Sequence, residues 1–319
     1  MKKIIKIVLY SLATLVAVIL ILGLALAFIP TASKTNHHGI TTEQATILRN
    51  SYTGPHEQFK TTDGETIFLW RWNPDSVVAA KKDIAVLILH GITAYGGAYN
   101  MGGVPISKGG YTTFAMDYRG HGLSGGNRGD SPGKDRWIAD FGETIKYIKS
   151  LGFSKVVILG HSLGVASAIC AVDANPDQVA GVILLSGAYE GRKGLSPPPT
   201  LLEKTRFLAS AIFRPSYQSY HYYRKGMTVT KDSLFNLSYT PRFLMMLDVK
   251  TLRIDSNINI PILVGAGDED ELFEVEKVKE LYDLIPGDKK EFLVMKKTTH
   301  AKIPVESWEE IVAWLDKTF

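Results

Sequence analysis

Gly160-His161-Ser162-Leu163-Gly164 follows directly on the apolar run Val156-Val157-Ile158-Leu159 and opens a second apolar stretch, Leu163 to Ala174. Gly-x-Ser-x-Gly between a strand and a helix is the setting of a nucleophile elbow. A tight turn there holds the serine in a strained backbone conformation, and the glycines two residues to either side avoid collisions with the neighbouring strand and helix. The hydroxyl is thereby lifted out of the sheet. The positive end of the following helix points at the place where an anionic tetrahedral intermediate would form. Serine is a weak nucleophile at its free pKa, so this chemistry requires a base and a group that orients the base.

His300 is the candidate base, since it follows the last predicted strand (Phe292 to Met295) and precedes the terminal helix (Val305 to Lys317). His161 adjoins the serine, but the turn points its side chain elsewhere, while His90 and His121 sit in earlier loops where they satisfy local backbone groups. For the orienting acid, the strand Ile262 to Ala266 leads into Gly267-Asp268-Glu269-Asp270-Glu271-Leu272-Phe273. Asp270 is favoured because Leu272 and Phe273 would turn back into the core and anchor the loop; Asp268 is the second choice. The remaining carboxylates read as a solvated acidic loop. An oxyanion hole needs two N–H donors, one from Leu163 and one from the loop His90-Gly91-Ile92, where the Ile92 amide is the choice. Cys170, the single cysteine, excludes a disulfide framework and a Cys-based zinc cluster, and the adjacent His37 and His38 present no fixed coordination geometry.

These residues need a scaffold, and the chain supplies an α/β one around a mostly parallel sheet. Strands are predicted near Ile67 to Trp72, Ala85 to Leu89, Thr112 to Met116, Val156 to Leu159, Val182 to Leu185, Ile262 to Ala266 and Phe292 to Met295. Helical patterns fall at Trp137 to Ser150, Leu163 to Ala174, Glu274 to Ile285 and Val305 to Lys317. The stretch of about 188–256 exceeds what a βα connection needs. Its aromatic residues, interleaved with Arg and Lys, predict a helical cap over the carboxyl edge of the sheet. They would wall an apolar pocket, or for the most part form the core of the cap itself.

The first thirty residues stand apart. After Lys2, Lys3 and Lys6 comes the uncharged run Ile7 to Ile29, about 34 Å of helix against a hydrocarbon core of about 30 Å. The lysines predict the amino terminus inside and the catalytic body on the extracytoplasmic side of a single-pass anchor. Ala25-Leu26-Ala27 offers a signal-peptidase site, cleavage at which would release a secreted enzyme. Residues 31–56 are polar, lack apolar periodicity and read as a tether; the catalytic domain would then run from 57 to 319.

Composition narrows the field of function. With 36 Lys and Arg against 32 Asp and Glu the net charge is only +4, and no basic block reads as a nucleic-acid footprint. Oligomeric state is not legible.

Taken together these segments resemble the α/β-hydrolase superfamily, in its branch of monoacylglycerol lipases, lysophospholipases and serine aminopeptidase-like proteins. Beyond the elbow, the resemblance rests on Asp63-Gly64, His90-Gly91, Asp117-Tyr118-Arg119-Gly120-His121-Gly122-Leu123-Ser124, the stretch from Pro261 to Asp270, and His300. It implies that the Asp-x-Arg-Gly-His-Gly-x-Ser segment is a structural loop, and its Gly-x-x-Asp pattern falls on Gly267 and Asp270. Two departures are Thr298-Thr299, where the family often has Gly before the histidine, and Ile92, bulkier than the small residue frequent there. The implied reaction is hydrolysis of a carboxylic ester of an amphiphilic lipid, of monoacylglycerol or lysophospholipid type, through an acyl-enzyme and without metal or organic cofactor. A peptidase, thioesterase or acyltransferase on the same three residues is the alternative, as is an inactive membrane-tethered binding protein. Halide and epoxide chemistry on this fold uses an aspartate nucleophile, which Ser162 argues against.

Overall fold

The computed structural model describes residues 2–30, 33–75, 80–81, 83–247, 254 and 258–319. Its strands are β1 (His56–Lys60), β2 (Thr66–Trp72), β3 (Ile84–Leu89), β4 (Thr112–Met116), β5 (Lys155–His161), β6 (Gly181–Leu185), β7 (Tyr220–His221), β8 (Ser238–Tyr239), β9 (Ile262–Gly267) and β10 (Lys290–Met295). Eight of them form one sheet in the order β1-β2-β4-β3-β5-β6-β9-β10. From β4 to β10 every neighbouring pair is parallel, whereas β2 runs antiparallel to both β1 and β4. This is an α/β-hydrolase fold, as the resemblance implies.

Apolar runs without polar alternation become the central strands because both of their faces are covered. In β3, Ala85, Leu87 and Leu89 join a core with Phe141, Ile145, Ile169 and Leu281, from the helices α4 (Lys134–Ser150), α5 (Leu163–Ala174) and α8 (Val275–Leu284). The alternate residues Ile84, Val86 and Ile88 face Ile106, Trp308 and Ile311, from α3 (Asn100–Lys108) and α9 (Val305–Thr318). The side-chain period of two thus divides one strand between two cores.

Three elements depart from the sequence reading, each for a tertiary reason. The helix α3 carries Gly102, Gly103 and Pro105 and has weak local propensity. Its glycines are needed for packing: a Cβ at Gly102 would lie 2.6 Å from the Trp308 ring, and one at Gly103 2.4 Å from Trp72. The edge strand β1 is half-buried and pairs on one side only, so its sequence His-Glu-Gln-Phe-Lys shows no apolar run.

The third departure corrects the reading of residues 31–56 as a tether. They contain the helix α2 (Thr42–Ser51), opened by a capping box in which Thr41 and Gln44 exchange hydrogen bonds. Arg49 Nη1 donates to Leu123 O at 2.7 Å, which docks α2 on the body. His37 is buried, with its ring nitrogens 3.2 Å from Thr230 O and 2.8 Å from Phe235 O.

The insertion forms a cap built from α6 (Leu201–Phe213), the two-residue ribbon β7–β8 and α7 (Pro241–Met246). Tyr239 and Phe243 are fully buried and stacked 5.2 Å apart, so this aromatic pair belongs to the core of the cap. The predicted end of the cap near 256 lies outside the described residues. The helix α1 (Lys2–Phe28) is long and apolar enough to cross a membrane. Its last turns meet α6: Gly23 packs on Phe213, and Arg214 donates to Ala27 O at 3.3 Å.

Candidate active site

At the carboxyl end of β5 the chain turns sharply into α5, and Ser162 at the turn has φ 58° and ψ −120°. For a residue with a Cβ this is a strained conformation. The flanking glycines show why only this pattern fits. A Cβ at Gly160 would lie 2.1 Å from Gly164 O, and one at Gly164 would lie 1.9 Å from Leu89 O in the adjacent strand β3. The same packing brings Gly91 against the serine side chain, where a Cβ would sit 3.2 Å from Ser162 Cβ.

The loops after β9 and β10 bring the other two groups to this edge. His300 Nε2 lies 3.0 Å from Ser162 Oγ, and His300 Nδ1 lies 3.1 Å from Asp270 Oδ2. A neutral imidazole with its proton on Nδ1 donates to the Asp270 carboxylate and accepts from the serine hydroxyl. Asp270 is in turn fixed from behind, because its Oδ1 accepts the N–H of Leu272 at 2.7 Å and of Phe273 at 3.1 Å. Burial alone would raise the Asp270 carboxyl, but the hydrogen bond and charge of His300 and the two N–H groups outweigh it and hold it below its ordinary range. Of the four neighbouring carboxylates, Asp270 is the one that meets the imidazole. Asp268 turns instead toward the Thr298 N–H and Lys296.

The two predicted oxyanion donors flank the serine. Leu163 is the first residue of α5 and Ile92 follows Gly91, and neither N–H is spent on another described residue. The carbonyl of Ile92 is engaged, accepting from Tyr239 OH at 2.5 Å, so the cap helps to set the plane of this peptide. Tyr99 supports the same loop: its hydroxyl accepts the Gly91 N–H at 2.8 Å and lies 2.7 Å from His161 Nδ1. Burial, reinforced by the charge of nearby His300, pushes the His161 imidazole down to about 3, so it stays neutral beside His300. His90 and His121 hold backbone groups of their own loops, Gly91 O, Tyr118 N and Arg119 O.

Sequence reasoning did not single out Glu271 or Arg224. Glu271 Oε2 accepts the His300 backbone N–H at 3.0 Å, and its Oε1 accepts from Arg224 Nη2 at 3.1 Å. Burial raises the Glu271 carboxyl, but the His300 N–H and the Arg224 charge prevail and hold it below its usual range. An acidic run signals such a residue only weakly, because the partner is 47 positions away.

Two cavities meet at Ser162. One, of about 450 Å³, runs over Val165, Ala166, Ile169, Phe273 and Leu281; the other, of about 320 Å³, passes His300, Thr93, Thr228, Thr230 and Phe235. Tyr222 and Arg224 of the cap wall both. Among the described residues that line them there is no carboxylate. No cluster of three or more His, Cys, Asp or Glu side chains among the described residues could hold a metal ion.

The profile of the family described as Hydrolase_4, serine aminopeptidase, S33, matches residues 80–306. An uncharacterized protein, YnbC, of Escherichia coli (strain K12) is 24% identical over 67% of this chain and 38% of its own length. A monoacylglycerol lipase of Mycolicibacterium smegmatis is 26% identical over 46% of this chain and 51% of its own. The chain thus spans about half or less of these curated relatives. Among solved structures, a soluble variant of the monoglyceride lipase from Saccharomyces cerevisiae superimposes with a TM-score of 0.64 at 18% identity, over 84% of this chain and 97% of that one.

Proposed function

Because the chain belongs to the Hydrolase_4 (serine aminopeptidase, S33) family and has the α/β-hydrolase fold, we propose that it is a lipase- or esterase-like hydrolase that cleaves carboxylic esters of amphiphilic lipids, with Ser162 as nucleophile. The observation that carries this reading is the 3.0 Å contact between Ser162 Oγ and His300 Nε2 where two cavities meet. In the proposed mechanism His300 takes the hydroxyl proton as Ser162 attacks the ester carbonyl, and the oxyanion is met by the Ile92 and Leu163 N–H groups. Asp270 orients the imidazole and stabilises its charged form. His300 then gives its proton to the leaving alcohol, and the acyl-enzyme is released by a water that His300 activates.

The cavities support an assignment of the two arms of the substrate. The leaving alcohol must reach His300, so it occupies the smaller cavity, which His300 lines; the acyl chain takes the larger, apolar one. An aminopeptidase would need an acidic side chain to receive a free ammonium group, and neither cavity offers one among its described residues. That favours esters over aminoacyl amides.

The helix α1 is proposed as a membrane anchor with its lysines inside and the hydrolase body outside. Its retention, rather than cleavage after Ala27, is supported by the burial of Ala27 and by hydrogen bonds from Arg214 to Ala27 O and from Arg206 to Ile29 O. A fluorophosphonate probe should label Ser162, and a series of p-nitrophenyl esters should be turned over with a preference for longer acyl chains. Absence of labelling, or turnover of aminoacyl amides in place of acyl esters, would reject the reading.

A further inference from the structure

The two cations that line the cavities differ in how they are engaged. Arg192 donates through Nε to Asp270 O at 3.3 Å and through Nη1 to Glu274 Oε1 at 3.1 Å. The Arg224 guanidinium, with the side chain only 15% exposed, donates among the described residues to Glu271 Oε1 alone. A guanidinium carries five N–H donors. Arg224 is therefore a largely buried cation with donors to spare, set in the wall that the two cavities share. In the smaller cavity its polar company includes Thr93, Thr228, Thr230 and His300, with no carboxylate on the described lining. None of the Arg224 nitrogens is both sealed from solvent and without a partner, so the spare donors are open to a ligand, and because a charge-assisted hydrogen bond is among the stronger ones this wall is complementary to an anion.

We propose that Arg224 is a specificity-determining residue that receives a phosphate carried by the leaving alcohol. The inference rests on the assignment of Ser162 and His300 above, because His300 identifies the smaller cavity as the alcohol side. It deepens that reading by selecting, among amphiphilic esters, those whose alcohol is anionic. The link to Glu271 gives the contact a second consequence. Glu271 holds both Arg224 and the His300 backbone N–H, so a phosphate that draws on Arg224 does so within one side chain of the base.

The test uses ligands without an ester bond, so that binding is read apart from turnover. The full-length chain in nonionic detergent would be titrated calorimetrically with 1-O-hexylglycerol 3-phosphate and with uncharged 1-O-hexylglycerol. The wild type should favour the phosphate ligand. Arg224→Gln should weaken that ligand about 10- to 100-fold, the range for a lost charge-assisted hydrogen bond, and move the uncharged one less than about 3-fold. Arg224→Lys should restore part of the difference. Equal weakening of both ligands would mean that Arg224 only holds the cap, and an unchanged phosphate affinity would mean that it meets no anion; either result overturns the proposal. Failure of the fluorophosphonate to label Ser162 would instead overturn the hydrolase reading, and these affinities would still decide whether Arg224 binds an anion.

Discussion

The elbow and the cap meet across the same cavities but are built on opposite principles. Around Ser162 the backbone leaves no alternatives: a Cβ at Gly160 or Gly164 would come within 2.1 Å of a carbonyl oxygen, and β3 beside it is buried at every residue. The cap holds its shape with few constraints. Its ribbon is two residues per strand, α6 exposes Leu201, Leu208 and Ile212, and α7 is pinned mainly by Thr240 and Arg242 on Asp130. In the proposed function, reactivity would depend on backbone geometry that tolerates no drift, and selectivity on side chains such as Tyr222 and Arg224 that a looser frame can exchange without disturbing the sheet.

The contrast can be broken most directly at the proposed nucleophile. Ser162→Ala should lower p-nitrophenyl ester hydrolysis by about 10⁴-fold or more while the melting midpoint stays put, because the hydroxyl serves chemistry rather than packing. Residual turnover near wild type would place the reactive group elsewhere.

Acid should strike the body before the cap. His90 donates from Nδ1 to Gly91 O at 2.8 Å and accepts the Tyr118 N–H on Nε2 at 3.2 Å, an arrangement that only the neutral ring allows. Burial, outweighing the Gly91 carbonyl, pushes its imidazole down to about 3, and burial with the His300 charge does the same to His161. Both folded values lie below the unfolded value of about 6.5, so the unfolded chain binds more protons in the interval between them. The contribution of these two histidines is therefore fully present above about pH 6.5 and is lost as pH falls toward 3, by up to about 1.4 kcal/mol per pH unit for each, offset in part by Asp117, whose carboxyl burial raises to about 7. The tryptophans, at 70, 72, 137, 308 and 314, all lie outside the cap, so the urea midpoint followed by their fluorescence reports the body. A flat midpoint between pH 7 and 4 would contradict the assignment.

The same substitution made in each region sharpens the comparison further. Gly164→Ala drives a methyl group into Leu89 O and should cost more than about 3 kcal/mol. Gly194→Ala in the cap, at φ 79° with nothing within 4 Å, should cost only about 1 to 2 kcal/mol for its backbone conformation. Denaturant midpoints of the two variants compare them directly.

Loosening the pin should be smaller still in its global effect. Asp130→Asn weakens the contacts to Thr240 and Arg242 by about 1 to 3 kcal/mol, and protease cleavage within the cap should rise while the sheet remains protected. The smallest change is expected for Ile92→Ala. The proposed role uses the backbone N–H, so kcat/KM for a short-chain ester should stay within a few-fold of wild type, and a loss comparable to that of Ser162→Ala would show that the side chain matters.

Most of what is local in this protein is legible without coordinates. The elbow is a backbone motif confined to five residues, and the central strands announce themselves because two-sided burial demands uninterrupted apolar residues in Ala85 to Leu89 and Val156 to Leu159. The helix α2 was not read from the sequence, where residues 31–56 looked like a tether, because a helix with a single buried residue, Ala45, lacks apolar periodicity.

What only the tertiary structure decided involves partners far apart along the chain. Asp270 is set apart from three neighbouring carboxylates by an imidazole 30 residues later, and Arg224 gains meaning from Glu271, 47 residues on. The glycines of α3 are accounted for by Trp72 and Trp308, whose rings occupy the space a Cβ would need. Periodicity and turn chemistry act over a few residues and are written into the order of side chains. Which distant groups end up within 3 Å depends on how the whole sheet closes, and no short stretch of sequence carries that information.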